Sequence, residues 1–167
     1  MNRRLFLALI PAALAAGCGF QLRRYDGLPF ASLYLDAPGG SSVAQRLRSM
    51  LATDKSTTLT ATAAEAEAVL KITQEERVKS ILTLTGGGRV SEYRVTLKLS
   101  YSINGKDGRV LAEPETLELN RAMTYDDSLL LAKGAEEQLL YRDMDDNAGL
   151  RIMRRLQTLQ PDTGNGS

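Results

Sequence analysis

Tyr93, Val95, Leu97, Leu99, Tyr101 and Ile103 are apolar, whereas Arg94, Thr96, Lys98, Ser100 and Ser102 between them are polar. Successive side chains of a strand point to opposite faces, so this period of two predicts a strand covered on one side and wet on the other. Asn104-Gly105 and Asp107-Gly108 supply the turn after it. A further strand is expected over about 109–125, interrupted near Pro114, with Leu117, Leu119, Arg121, Met123 and Tyr125 on one face. Glu118 and Asn120 fall on the other.

Upstream, residues 69–85 read as extended and end in the turn Gly86-Gly87-Gly88. Leu70 and Ile72 alternate with Lys71 and Thr73, but residues 74–80 are too polar to be covered on both faces. Ser32-Leu33-Tyr34-Leu35-Asp36 also alternates and is closed by Pro38-Gly39-Gly40, which predicts a short strand. The Thr-rich stretch 54–62 reads as a polar connection.

Two segments change period. Val43, Leu47, Met50 and Leu51 share one helical face behind the capping-box pattern Ser42-x-x-Gln45, which predicts a helix over 42–53. Leu140, Met144, Ala148, Ile152 and Leu156 recur every four residues, with Leu159 three further on. They predict a long helix over about 128–159, opened by Asp126-Asp127-Ser128, closed by Pro161, with Gly149 as a point of bending. The order β-α-β-β-β-α is buried most economically as an α/β two-layer sandwich, two helices on one face of a four-stranded, mostly antiparallel sheet. The polar sheet face is then left free.

The N-terminus has its own pattern: a positive head at 1–4, an apolar run at 5–16, and Ala15-Ala16-Gly17 ahead of Cys18, the only cysteine. That is the layout of a signal peptide, and the run is shorter than the ~20 apolar residues a membrane span needs. Two processings fit. Ala13-Leu14-Ala15 suits ordinary signal peptidase and a soluble product. Small residues directly before Cys18 suit a bacterial lipobox, although Ala15 stands where Leu is usual. Three acyl chains on Cys18 would hold the chain firmly to a membrane, since each buried CH₂ contributes about 0.8 kcal/mol. The expected organisation is a signal peptide at 1–17, a lipidated leader at 18–31, one domain at 32–160 and a disordered tail at 161–167.

Composition narrows the chemistry. Loss of residues 1–17 removes Arg3 and Arg4, leaving 19 basic against 20 acidic residues, so overall charge suits neither a nucleic-acid binder nor an acidic tail. With no His and the one Cys lipidated, the commonest nucleophile–base pairs and metal ligands are missing. Neither a nucleophile elbow nor a facing carboxylate pair is present, so no catalytic residue, cofactor or metal is assigned and the chain is read as a non-enzyme. Asp143-x-Asp145-x-Asn147 echoes a calcium loop, but Ala148 and Arg154 stand where that loop needs Gly and Glu. Glu136 and Glu137 point about 100° apart on a helix and are expected to be solvated or paired with Lys133, Arg142 or a partner's cation. Gly86-Gly87-Gly88-Arg89 lacks the ending of a P-loop and reads as a hairpin tip. Arg89, Arg94 and Lys98 form a local positive patch that net charge conceals, suited to phosphorylated lipids. Lys133 lies near a helix start, where a cation is slightly unfavourable: either an ordinary surface lysine or one kept for an anion.

Cys18-Gly19-Phe20-Gln21-Leu22-Arg23 with Leu28-Pro29 resembles the CG[FW]-x-LR…LP opening of the LptE family of LPS-assembly lipoproteins. Glu92-Tyr93-Arg94-Val95, Arg121 with Tyr125, Leu131-Ala132-Lys133 with Glu137, and Met144 with Arg154-Arg155-Leu156 are similar to later marks of that family, in order. The resemblance implies two helices on a four-stranded sheet, a lipid tether at Cys18 to the outer membrane, and a heterodimer with the β-barrel LptD, in which the protein is the plug. It implies help in barrel assembly, delivery of lipopolysaccharide to the outer leaflet, and direct lipopolysaccharide binding by Lys133, with Arg89 and Arg94 as further basic contacts. Arg89 is displaced in register from the family's hairpin-loop cation. The alternative is a free-standing lipid-binding lipoprotein facing the periplasm, which would need a cavity between helices and sheet.

Overall fold

The computed structural model describes residues 27–159, so Cys18, the signal-peptide segment and the 161–167 tail lie outside the described residues. The elements are β1 (Ser32–Asp36), α1 (Ser42–Thr53), β2 (Thr58–Leu59), β3 (Ala68–Leu84), β4 (Val90–Gly105), β5 (Val110–Thr124) and α2 (Leu130–Thr158). They form one sheet in the order β2-β1-β3-β4-β5. β3, β4 and β5 are an antiparallel meander, while β1 pairs parallel with both β2 and β3.

The sheet therefore has five strands, not the expected four, and is mixed. The extra strand, Thr58–Leu59, is two residues long within a Thr-rich stretch, too short for any periodicity to register. Its register is held by Thr58 N–H to Ala31 O (2.9 Å) and Thr60 N–H to Leu33 O (3.0 Å).

The core forms as the alternation requires. Val95, Leu97, Leu99, Tyr101 and Ile103 are all buried, against α1 residues such as Leu47 and α2 residues such as Met144, Ile152 and Leu156. Leu28 and Phe30 are buried in the same cluster, so packing continues into the segment ahead of β1. Pro114 does not interrupt β5. Tyr101 pairs with Glu115 and Ile103 with Ala112, so the proline sits in a bulge on an edge strand, where its missing N–H costs no ladder bond.

The cap of α1 differs from the expected one, whereas the expected Asp126 caps the turn that opens α2. Ser41, not Ser42, caps α1: its Oγ accepts from Ala44 N–H at 2.9 Å. The acidic partner comes from β3, since Glu75 accepts from Ser41 Oγ (2.5 Å), Ser42 Oγ (2.8 Å) and Ser42 N–H (3.3 Å). Residues 127–129 form a 3₁₀ turn before α2, with Asp126 accepting from Ser128 N–H and Oγ, bonds that lower the Asp126 pKa. Gly149 marks close approach of α1 to α2, because a Cβ there would lie 3.2 Å from Met50.

Candidate functional site: the hairpin end of the sandwich

The β3–β4 hairpin closes at one end of the molecule, through Thr85 N–H to Arg89 O (2.7 Å) and Gly88 N–H to Thr85 O (2.9 Å). Gly88 has φ +77°, a conformation that favours glycine. Glu92 of β4 is flanked by Thr83 of β3 and Thr124 of β5, so the start of α2 lies at this same end.

This end gathers the three cations expected to meet lipid. Arg89 is exposed at the tip, and Arg94 is exposed on β4 between Ser80 and Ala122. Neither forms an ion pair among the described residues, unlike Lys98, which lies 3.8 Å from Glu118 and opposite Glu76. Lys133 is different. Its side chain is only 14% exposed, donating to Thr124 Oγ1 (2.9 Å) and Glu136 Oε2 (2.8 Å). It is held against β5 two residues from Ala122, the strand partner of Arg94.

Large apolar side chains are exposed at the same end of the molecule. Leu129, Leu130 and Leu131 at the head of α2 are 51%, 62% and 91% exposed, and Ile81 and Leu84 of β3 are 57% and 53% exposed. Exposed aliphatics at the same end as unpaired guanidinium groups suit an anionic amphiphile. The outer sheet face is uncovered by helices and polar, with Ser100 to Thr116 (2.9 Å) and Thr96 to Asn120 (2.6 Å) as hydroxyl links across strands.

Inward of the hairpin lies a cluster that the sequence did not disclose. A register shift between Ile72 and Gln74 reverses which residues of β3 face the helices. Glu75, Arg77 and Lys79 consequently face the helix layer. One Arg77 nitrogen donates to both Asp145 oxygens (2.9 and 2.7 Å) and also contacts Ser42 Oγ, while the guanidinium sits 4.9 Å over the Tyr141 ring. Burial raises the Asp145 carboxyl above its ordinary pKa, and Arg77 opposes that rise. Lys79 pairs with Glu137 (2.5 Å) and lies 4.5 Å over Tyr93, whose ring meets Tyr125 edge-on at 5.0 Å. Glu136 and Glu137 are thus both paired, the former with the expected Lys133 and the latter with Lys79. Asp143 is bound to Arg121 and Asp145 to Arg77, so their carboxylates are engaged in ion pairs along an unbroken helix. The signal was the polar run 74–80 following the covered start of the strand.

The described residues form a small two-layer α/β sandwich domain with a cationic, partly apolar hairpin end, and none of their helices is long and apolar enough to cross a membrane. Lipoprotein B of Nitrosomonas europaea, known from a solution NMR structure, has the same fold, with a TM-score of 0.73 and 31% identity over 83% of this chain and 90% of that one. Rare lipoprotein B of Shewanella oneidensis shares the fold at a TM-score of 0.65, 24% identity, 75% of this chain and 92% of that one. The LPS-assembly lipoprotein LptE of Photorhabdus laumondii is 26% identical over 164 residues, 95% of this chain and 88% of its own length. Residues 30–156 match the lipopolysaccharide-assembly family LptE, and the chain belongs to that family.

Proposed function

We propose that this lipopolysaccharide-assembly lipoprotein is acylated on Cys18, tethered to the outer membrane, and seated as the plug of an LptD-type β-barrel, whose assembly it assists. There it binds lipopolysaccharide directly and helps pass it to the outer leaflet. The observation that carries this is that unneutralised Arg89 and Arg94 occur at the same end of the sandwich as exposed Leu131, Ile81 and Leu84. Lipopolysaccharide presents phosphates beside acyl chains, and guanidinium–phosphate contacts are among the stronger charge-assisted hydrogen bonds. Arg89, Arg94 and Lys133 take the phosphates, and the aliphatic residues lie against the chains.

A polar outer sheet face suits a plug in a hydrated barrel lumen. The free-standing carrier is less well supported, because Leu33, Leu70, Leu97, Leu99, Met144 and Ile152 fill the space between the layers. Lipid would have to be held on the surface.

The test is a photo-crosslinking amino acid placed at Leu131, and separately at Arg94, in cells. Crosslinks to lipopolysaccharide at both positions uphold the hairpin end as its site. Crosslinks to protein alone at both would move lipid binding elsewhere.

A further inference from the structure

The opposite end of the sandwich carries a second cationic feature. Near the C-terminus of α2, Arg151, Arg154 and Arg155 line a surface depression of about 410 Å³ with Tyr101, Glu115 and Thr158. Spacings of three and four residues put Arg151 on one helix face with the other two, and like charges so placed disfavour a helix. Arg155 is accounted for: its Nε lies 3.9 Å from Glu115 Oε2, which also accepts from the Tyr101 hydroxyl at 2.9 Å. Glu115 is therefore already shared. Arg151 and Arg154 are exposed and have no ion pair among the described residues. Favourable interaction with the helix C-terminus explains a cation in the last turn, but not three turned toward one concavity.

The position of this turn identifies its occupant. Arg155 lies over Glu115, near the start of β5, and the β4–β5 turn at this end shares a cavity with Phe30, just after the described chain begins. Eight residues lie between Cys18 and Gly27, so the nine steps reach at most about 32 Å at roughly 3.3–3.6 Å per residue. An acylated Cys18 accordingly keeps the arginine end close to a membrane surface, and a surface bearing phosphate groups offers the counter-charge that Arg151 and Arg154 lack. We propose that the Arg151–Arg154–Arg155 turn docks on anionic phospholipid headgroups of the membrane that holds the tether. This rests on acylation at Cys18 but not on lipopolysaccharide binding at the other end. The protein would then have two anion-binding ends with different tasks: one for cargo, one for orientation on the bilayer.

The experiment is hydrogen exchange of the mature full chain on vesicles of phosphatidylcholine alone and of phosphatidylcholine with phosphatidylglycerol, with acylation of Cys18 read by intact mass on the same sample. We expect amides of the last two turns of α2 to exchange several-fold more slowly on the anionic vesicles. The difference should vanish in the variant carrying Arg151→Gln, Arg154→Gln and Arg155→Gln, and persist in the corresponding Lys variant. Equal exchange on both vesicles overturns the proposal, as does equal protection from inorganic phosphate on neutral vesicles, which would mark a free-anion site. An unacylated chain that still gains protection upholds the headgroup site while refuting the tether.

Discussion

One nitrogen of Arg77, on β3, donates to both carboxylate oxygens of Asp145, on α2, at 2.9 and 2.7 Å. The Asp145 side chain is 9% exposed and that of Arg77 38%, so a sheet cation leaning in from solvent neutralises a covered helix anion. This pair, with Glu75 and Lys79, joins the layers where aliphatic packing gives out.

Removing one partner of a covered ion pair costs far more than replacing both. Arg77→Gln should therefore destabilise the fold by about 2–3 kcal/mol, below the usual range for buried pairs because Arg77 is partly solvated. Arg77→Gln with Asp145→Asn should recover most of that loss. Urea denaturation of the single and double variants checks the cycle.

The same pair sets a pH dependence. Burial raises the Asp145 pKa in the folded state, so its ionisation opposes folding as pH rises through the folded pKa from the ordinary carboxylate value. Without Arg77 the folded pKa should climb further. The deficit of Arg77→Gln relative to the unaltered protein is then greatest near neutrality and shrinks at acid pH, as Asp145 takes up a proton. Melting temperatures at neutral and acid pH measure it; a deficit independent of pH would contradict the assignment.

Glu75 replaces the glutamine of a local capping box, reaching Ser42 from 33 positions away. Glu75→Ala removes hydrogen bonds to Ser41 and Ser42 together, and a cost of about 1–2 kcal/mol is expected, against ~1 kcal/mol for Ser41→Ala. Faster amide exchange in the first turn of α1 should accompany it.

At the hairpin end the two kinds of cation should respond differently. Arg94→Gln removes an exposed, unpaired charge and should weaken lipopolysaccharide binding while leaving stability within about 0.5 kcal/mol. Lys133 is committed to Glu136, so Glu136→Gln should strengthen binding by releasing it, whereas Lys133→Gln should weaken binding. Titration of purified variants with lipopolysaccharide reads both signs. Charge reversal at Lys133 that leaves binding unchanged would remove it from the site.

Leu131 is 91% exposed, so Leu131→Asp has almost no packing to lose. Its melting temperature should stay near that of the unaltered protein, while affinity for lipopolysaccharide falls. An equal fall in both would reassign Leu131 to the fold.

Much of this architecture is legible in one dimension. The period of β4 marks its covered face correctly from Val95 to Ile103, and the four-residue repeat of α2 marks Met144, Ala148, Ile152 and Leu156 as its buried stripe. What escaped has physical causes. β2 is two residues long, below any period. The ionic layer of β3 escaped because a single register shift after Ile72 reverses facing, turning residues that look like a solvated run toward the helices. Glu75 as a cap and Thr124 as the seat of Lys133 depend on pairings across the fold, which spacing cannot express. For the hairpin end, the residues could be nominated from sequence, but the pairing state that separates Arg94 from Lys133 could not.

The most direct test of the central claim is to extract the tagged, lipidated protein from outer membranes in mild detergent and determine by mass spectrometry what copurifies and in what ratio. A large β-barrel protein at one to one is expected, with lipopolysaccharide in the complex. Recovery of the protein alone, or with lipid but no barrel, would contradict the plug and favour an independent carrier.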